Sequence, residues 1–203
     1  MALTLFGVTV NDVHVTHATT MNAEVISVRD LAAICAQTEA RPGEPDERLV
    51  LHHNDVVAAF SGRGPVLPAP VGVVFRSKEA IERWLELHYG ALTDALSFVE
   101  NRVAARVHVR KAAVGDERET SADLVAMASE SLRTLRLGAV ATVALRPDSN
   151  PGVILSAAFL VEADSWPEFV AQVNERAKQS ASVRLELTGP WPPYDFVQMQ
   201  IGA

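Results

Sequence analysis

Hydrophobic positions along the chain recur with strand spacing in some stretches and helical spacing in others. Leu3–Val10 has strand composition, and a second strand is predicted over Ala23–Val28 after a polar hairpin or loop. Gln37–Glu47 holds two prolines and a glycine and reads as a loop. Asp46 is then placed to cap a helix that carries Leu49, His53, Val56, Val57 and Phe60 on one face, with Ser61–Pro65 as its stop. Val66–Phe75 is β-rich, although Pro68 and Pro70 confine its first half to an edge or entry segment. Ser77 caps a further helix with Ile81, Trp84, Leu85 and His88 in register. Gly90 interrupts it, and Leu92, Ala95, Leu96 and Val99 continue the stripe.

A second pattern starts near Val99. Val103, Ala105, Val107 and Val109 alternate with Arg102, Ala104, Arg106, His108 and Arg110, which predicts a strand with one buried and one basic face. A charged loop at Gly115–Glu119 leads to a helix from about Thr120, with Leu124, Met127, Ala128, Ser131, Leu132 and Leu135 aligned and Gly138 as its end. Ala139–Leu145 is a strand, Pro147–Gly152 a turn, and Val153–Val161, apolar on both faces, a central strand. Ser165 and Glu168 have capping-box spacing ahead of a helix bearing Phe169, Val173 and Ala177. Val183, Leu185 and Leu187 alternate with polar residues in a last strand.

The order β-α-β-β-α-β is that of the ferredoxin-like split βαβ arrangement, a four-stranded antiparallel sheet with both helices on one face. The expected class is therefore α+β with two domains: a modified ferredoxin-like domain over residues 1–98, a ferredoxin-like domain over 99–189, and a proline-rich aromatic segment over 190–203 that packs back on the body. In that segment Pro190, Pro192 and Pro193 exclude helix interior and central strand and leave a stiff extended run carrying Trp191, Tyr194 and Phe196.

Bulk properties narrow the function classes. Of 203 residues, 48% are hydrophobic, enough to build a core. The net charge of −7 disfavours nucleic acid as a partner, because that affinity rests on neutralising phosphates. No apolar run reaches the ~18 residues of a membrane span, and no basic residue precedes the alternating start as in a secretory signal. Cys35 is the one cysteine, which rules out an internal disulfide and fits a cytoplasmic location. It follows the apolar run Leu31–Ile34 with no basic neighbour and reads as a small core hydrophobe.

Candidate chemistry is sparse. His14 and His17 fall on opposite faces of a strand end, and His52 and His53 diverge on a helix, so no metal-ligand set is complete. His53 and His88 read as partly buried residues with satisfied ring nitrogens. Ser61–Pro65 lacks the ending of a phosphate loop, and no serine stands in a nucleophile elbow. These patterns point to a non-enzyme without metal or cofactor. The basic face at Arg106 and Arg110 has two readings: a site for an anionic metabolite, as in a ferredoxin-like regulator, or a solvated face paired across strands with Glu186.

Gly189-Pro-Trp-Pro-Pro-Tyr-Asp-Phe-Val197 closely resembles the C-terminal signature of the gas vesicle protein family GvpF/GvpL, with Asp195 where serine is common. Leu3–Val8, Ala23–Val28, His53–Val57, Pro65–Pro68 followed by Gly72–Phe75, and Ala157–Val161 resemble further family segments in the same order, while Ala69-Pro70-Val71 departs from the pattern. The resemblance implies an accessory or assembly protein and minor shell component of gas vesicles. Such a protein binds the hydrophobic shell subunit GvpA, limits its aggregation or helps nucleate the vesicle, and has no catalytic or cofactor residues. Trp191, Tyr194, Arg106 and Arg110 are the candidate partner-binding residues.

Overall fold

The structure is a computed structural model that describes residues 1–11, 21–38, 47–112, 120–146, 152–197 and 199. The Asp46 cap, the loop at 115–119, most of the 147–152 turn, and His14 and His17 lie outside the described residues. The chain divides into two compact units: residues 1–100 together with the described chain from Pro192 onward, and residues 101–191.

The first unit contains β1 (Leu3–Val10), β2 (Glu24–Val28), β3 (Leu31–Gln37), α1 (Glu47–Ser61), β4 (Val66–Pro68), β5 (Val74–Phe75), α2 (Lys78–Leu87) and α3 (Tyr89–Val99). Its antiparallel sheet runs β2-β3-β1-β4, with β5 also paired to β1. Helices cover both faces. On one, Ile81, Trp84 and Leu85 of α2 and Leu92, Leu96 and Val99 of α3 pack on Leu3, Leu5, Val8, Leu31, Ala33 and Cys35. On the other, Val56, Val57 and Phe60 of α1 pack on Phe6, Ile34 and Val66. That double cover is what separates this unit from a plain ferredoxin-like sheet, whose helices share one face. Strand β1 serves both layers because a bulge between Leu5 and Gly7 re-phases it, so Leu5 and Val8 share a face although three residues apart. Gly7 is required there: a Cβ on it would stand 2.7 Å from the Leu67 carbonyl oxygen.

Strand β3 goes beyond the sequence expectation, which assigned Leu31–Cys35 to no element. The helix boundary also shifts. Ser77 accepts from the Ala80 N–H as expected, but α2 and α3 part at His88, whose Nδ1 lies 2.9 Å from the Trp84 carbonyl oxygen, and Gly90 sits inside α3.

The second unit contains β6 (Arg102–Lys111), α4 (Ser121–Leu135), β7 (Ala141–Leu145), β8 (Val153–Glu162), α5 (Trp166–Lys178) and β9 (Val183–Trp191). The sheet order β7-β8-β6-β9, antiparallel throughout, is the ferredoxin-like topology. Ala105, Val107 and Val109 of β6, with Ala157, Phe159 and Val161 of β8, meet Leu124, Ala128 and Leu135 of α4 and Phe169 and Val173 of α5. The tilted ring pair of Phe159 and Phe169, 5.4 Å between centroids and 49° between planes, sits in this layer. Burying each such ring contributes about 2–3 kcal/mol.

Thr120 caps α4 in a reciprocal box with Asp123. The box expected at Ser165 is absent. Ala163–Ser165 is a 3₁₀ turn that feeds α5 directly, and Ser165, at ψ 5°, lacks the extended backbone that aims a capping oxygen at the first turn. Strand β9 continues past Leu187 through Pro190 to Trp191, which its edge position permits.

Candidate partner-binding surfaces

The alternation in β6 sends Arg106 and Arg110 to the sheet face away from α4 and α5, since Ala105, Val107 and Val109 take the helix side. Arg110 Nε donates to Glu186 Oε2 at 2.7 Å, from β6 to the neighbouring β9. Arg102 Nε likewise donates to Glu162 Oε1 at 3.0 Å. The cross-strand pairing with Glu186 is therefore formed. An anionic metabolite would have to displace that carboxylate from Arg110. His108 is also engaged, with Nδ1 2.8 Å from Ser156 Oγ.

The Gly189–Trp191 stretch is built by a bulge. Ala104 pairs with Trp191 and Arg106 with Thr188, so Gly189 and Pro190 together oppose Ala105. Gly189 adopts φ +132°, and a Cβ there would lie 2.8 Å from the Ala104 carbonyl oxygen and 3.0 Å from the Trp166 ring, which accounts for glycine at this point. The Gly189–Pro190 bond is cis. Trp191 is 48% exposed, and its Nε1 donates to Thr188 Oγ1 at 3.1 Å. Past the bulge the chain joins the first unit. Tyr194 packs against the Phe6–Val56–Phe60 cluster, and its hydroxyl donates to Asn54 Oδ1 at 3.0 Å; Val197 and Met199 pack against the other core layer of that unit. The rings thus divide: Tyr194 is an anchor and Trp191 faces outward.

Among the buried polar residues, His53 departs from expectation. It is 1% exposed against Phe6, 5.5 Å between ring centroids, and neither ring nitrogen has a hydrogen-bond partner. Desolvation pushes it down from 6.5 to about 4; the nearby Ala69 backbone opposes this and the His52 charge adds to it. The expected satisfied nitrogens hold for His88 at Nδ1 and not for His53. Burial, helped by Glu24, pushes the Cys35 thiol up to about 12, in keeping with a core role. Among the described residues, no three of His, Cys, Asp and Glu come together as a metal site, and no helix is long and apolar enough to cross a membrane.

One surface escaped the sequence reading. Leu137, Val140 and Val143 are exposed by 88%, 45% and 38% within seven residues, beside or on the edge strand β7. The available signal was the absence of any charged residue from Leu137 to Leu145.

Comparison with known proteins gives the setting for these surfaces. Residues 5–136 and 113–198 match the family model described as gas vesicle synthesis protein GvpL/GvpF. The chain belongs to the GvpL/GvpF family. Within this family it is 30% identical over 185 residues to gas vesicle protein F2 of Halobacterium salinarum, covering 89% of this chain and 82% of that one. It is 27% identical over 179 residues to gas vesicle protein L of a Streptomyces species, covering 71% and 66%. The fold matches the crystal structure of GvpF from Anabaena sp. PCC7120 with a TM-score of 0.81 at 16% identity, over 100% of this chain and 98% of that one. GvpF from Microcystis aeruginosa gives 0.79 at 14% identity, over 98% and 99%.

Proposed function

We propose that this GvpL/GvpF protein is an accessory factor of gas vesicle assembly in the cytoplasm, which binds the hydrophobic shell subunit GvpA, limits its aggregation before incorporation, and stays with the vesicle as a minor shell component. The observation that carries this reading is the family match, which extends from residue 5 to residue 198 and includes both units. The physical requirement is plain. An apolar, β-forming subunit associates edge to edge before assembly unless another protein covers it. An acidic chaperone-like protein, −7 in net charge, keeps the complex dispersed while it does so. Trp191, held outward by the Gly189 bulge and followed by the Tyr194 anchor, supplies a rigid aromatic contact at little entropic cost.

The test is co-expression of GvpA with and without this protein, measuring the share of GvpA left in the supernatant after centrifugation. A several-fold rise supports the reading. Equal amounts with and without the protein overturn it.

A further inference from the structure

We infer that the outer edge of β7, with the adjoining Leu137 and Val140, is a strand-addition site that takes an uncharged apolar β-segment of the shell subunit. The inference rests on the proposed function for the identity of its occupant and on the edge itself for its location.

The two edges of the second sheet are built differently. Strand β9 carries Arg184, Glu186 and Pro190 and a bulge at Gly189, the features that deter pairing with another chain. Strand β7 is Ala-Thr-Val-Ala-Leu, with neither charge nor proline, and among the described strands only β8 pairs with it. Its other edge offers a row of backbone donors and acceptors about 17 Å long. Val143 is exposed on the sheet face away from α4 and α5, while the exposed Leu137 and Val140 line a groove that leads onto the strand from the start of α5. A main-chain ladder supplies affinity and apolar side chains supply selection, which is how strand addition recognises a peptide.

The occupant follows from charge and area. The strand has no ionisable group from Leu137 to Leu145 to compensate a charge on an incoming strand, and Glu162 and Glu168 in the groove beside Leu137 and Val140 repel an acidic one, so a neutral apolar segment fits best. A second copy paired through β7 alone buries a few hundred Å² per partner, short of the roughly 1,200 Å² of total area that stable interfaces reach. A contact of that size suits a subunit that is held and then released.

The experiment uses the full chain co-expressed with GvpA. Val143→Lys and Leu137→Lys put a charge on the edge at exposed positions, and Leu87→Lys, at a residue 80% exposed in the first unit, is the control. The expected result is at least a five-fold fall in soluble GvpA for the two edge variants and none for the control. Hydrogen exchange on the wild-type complex is expected to slow the Ala141–Leu145 amides at least ten-fold. Full solubilisation by Val143→Lys together with unchanged β7 exchange overturns the site while leaving the proposed function standing. Failure of the wild-type protein to hold GvpA overturns both. Sedimentation showing a wild-type dimer that Val143→Lys converts to monomer overturns the occupant in favour of a second copy.

Discussion

His53 gives the sharpest test of the first unit's core. Its ring is sealed against Phe6 without a hydrogen-bond partner for either nitrogen, and burial lowers it from 6.5 to about 4. The folded state therefore keeps it neutral where the unfolded chain takes up a proton. Its neutral form imposes no pH-linked penalty above pH 6.5; the penalty grows as pH falls towards 4 and levels off below. At about 1.4 kcal/mol per pH unit, the loss reaches roughly 2 kcal/mol at pH 5 and about 3 kcal/mol below pH 4. The perturbation is His53→Leu, apolar and close in size. It leaves no orphaned ring nitrogens, so at pH 7 it is expected to be as stable as wild type or more so. Urea unfolding followed by circular dichroism at pH 7, 6 and 5 measures the difference. The variant is expected to gain on wild type as pH falls, by up to about 2 kcal/mol between pH 7 and pH 5. A difference that stays constant over that range refutes the account of a neutral, sealed imidazole.

Three further outcomes are expected. Tyr194→Phe loses the Asn54 hydrogen bond and costs about 1 kcal/mol, whereas Tyr194→Ala also empties its place on the α1 cluster and costs about 2–4 kcal/mol, both read as falls in melting temperature; equal effects would assign the whole role to the hydroxyl. Gly7→Ala drives a methyl against the Leu67 carbonyl and is expected to destabilise by about 1–3 kcal/mol in denaturant titration, an unchanged midpoint being the contrary result. Cys35, buried with its thiol raised to about 12, is expected to resist thiol reagents in the native protein and react at once in denaturant, as an absorbance assay of released thiolate shows.

The placement of side chains was legible where one face of a strand meets solvent. Strand β6 alternates because α4 and α5 cover one side only, and that alternation placed Arg106, Arg110 and the Glu186 pairing correctly. Strand β3 was missed for the opposite reason. Leu31, Ala33 and Cys35 face α2 and α3 while Ile34 faces α1, so every position from Leu31 to Ala36 is apolar and no period survives. The anchoring of Tyr194 rests on an asparagine 140 residues away, a distance no local pattern reports. The β7 surface lay hidden because a short uncharged run reads the same whether its edge is paired or open.

The return of the chain from β9 to the first unit has a consequence for biosynthesis. A nascent chain that has left the ribosome up to residue 100 has the strands and helices of the first unit but not Tyr194, Val197 or Met199, which arrive only after the whole second unit has been translated. At about 5–20 residues per second that delay is on the order of 5 to 20 seconds. During it the α1 cluster stands open where the tyrosine will seat. A protease that trims the chain after β9 therefore leaves the second unit whole and strips the seal from the part that was made first.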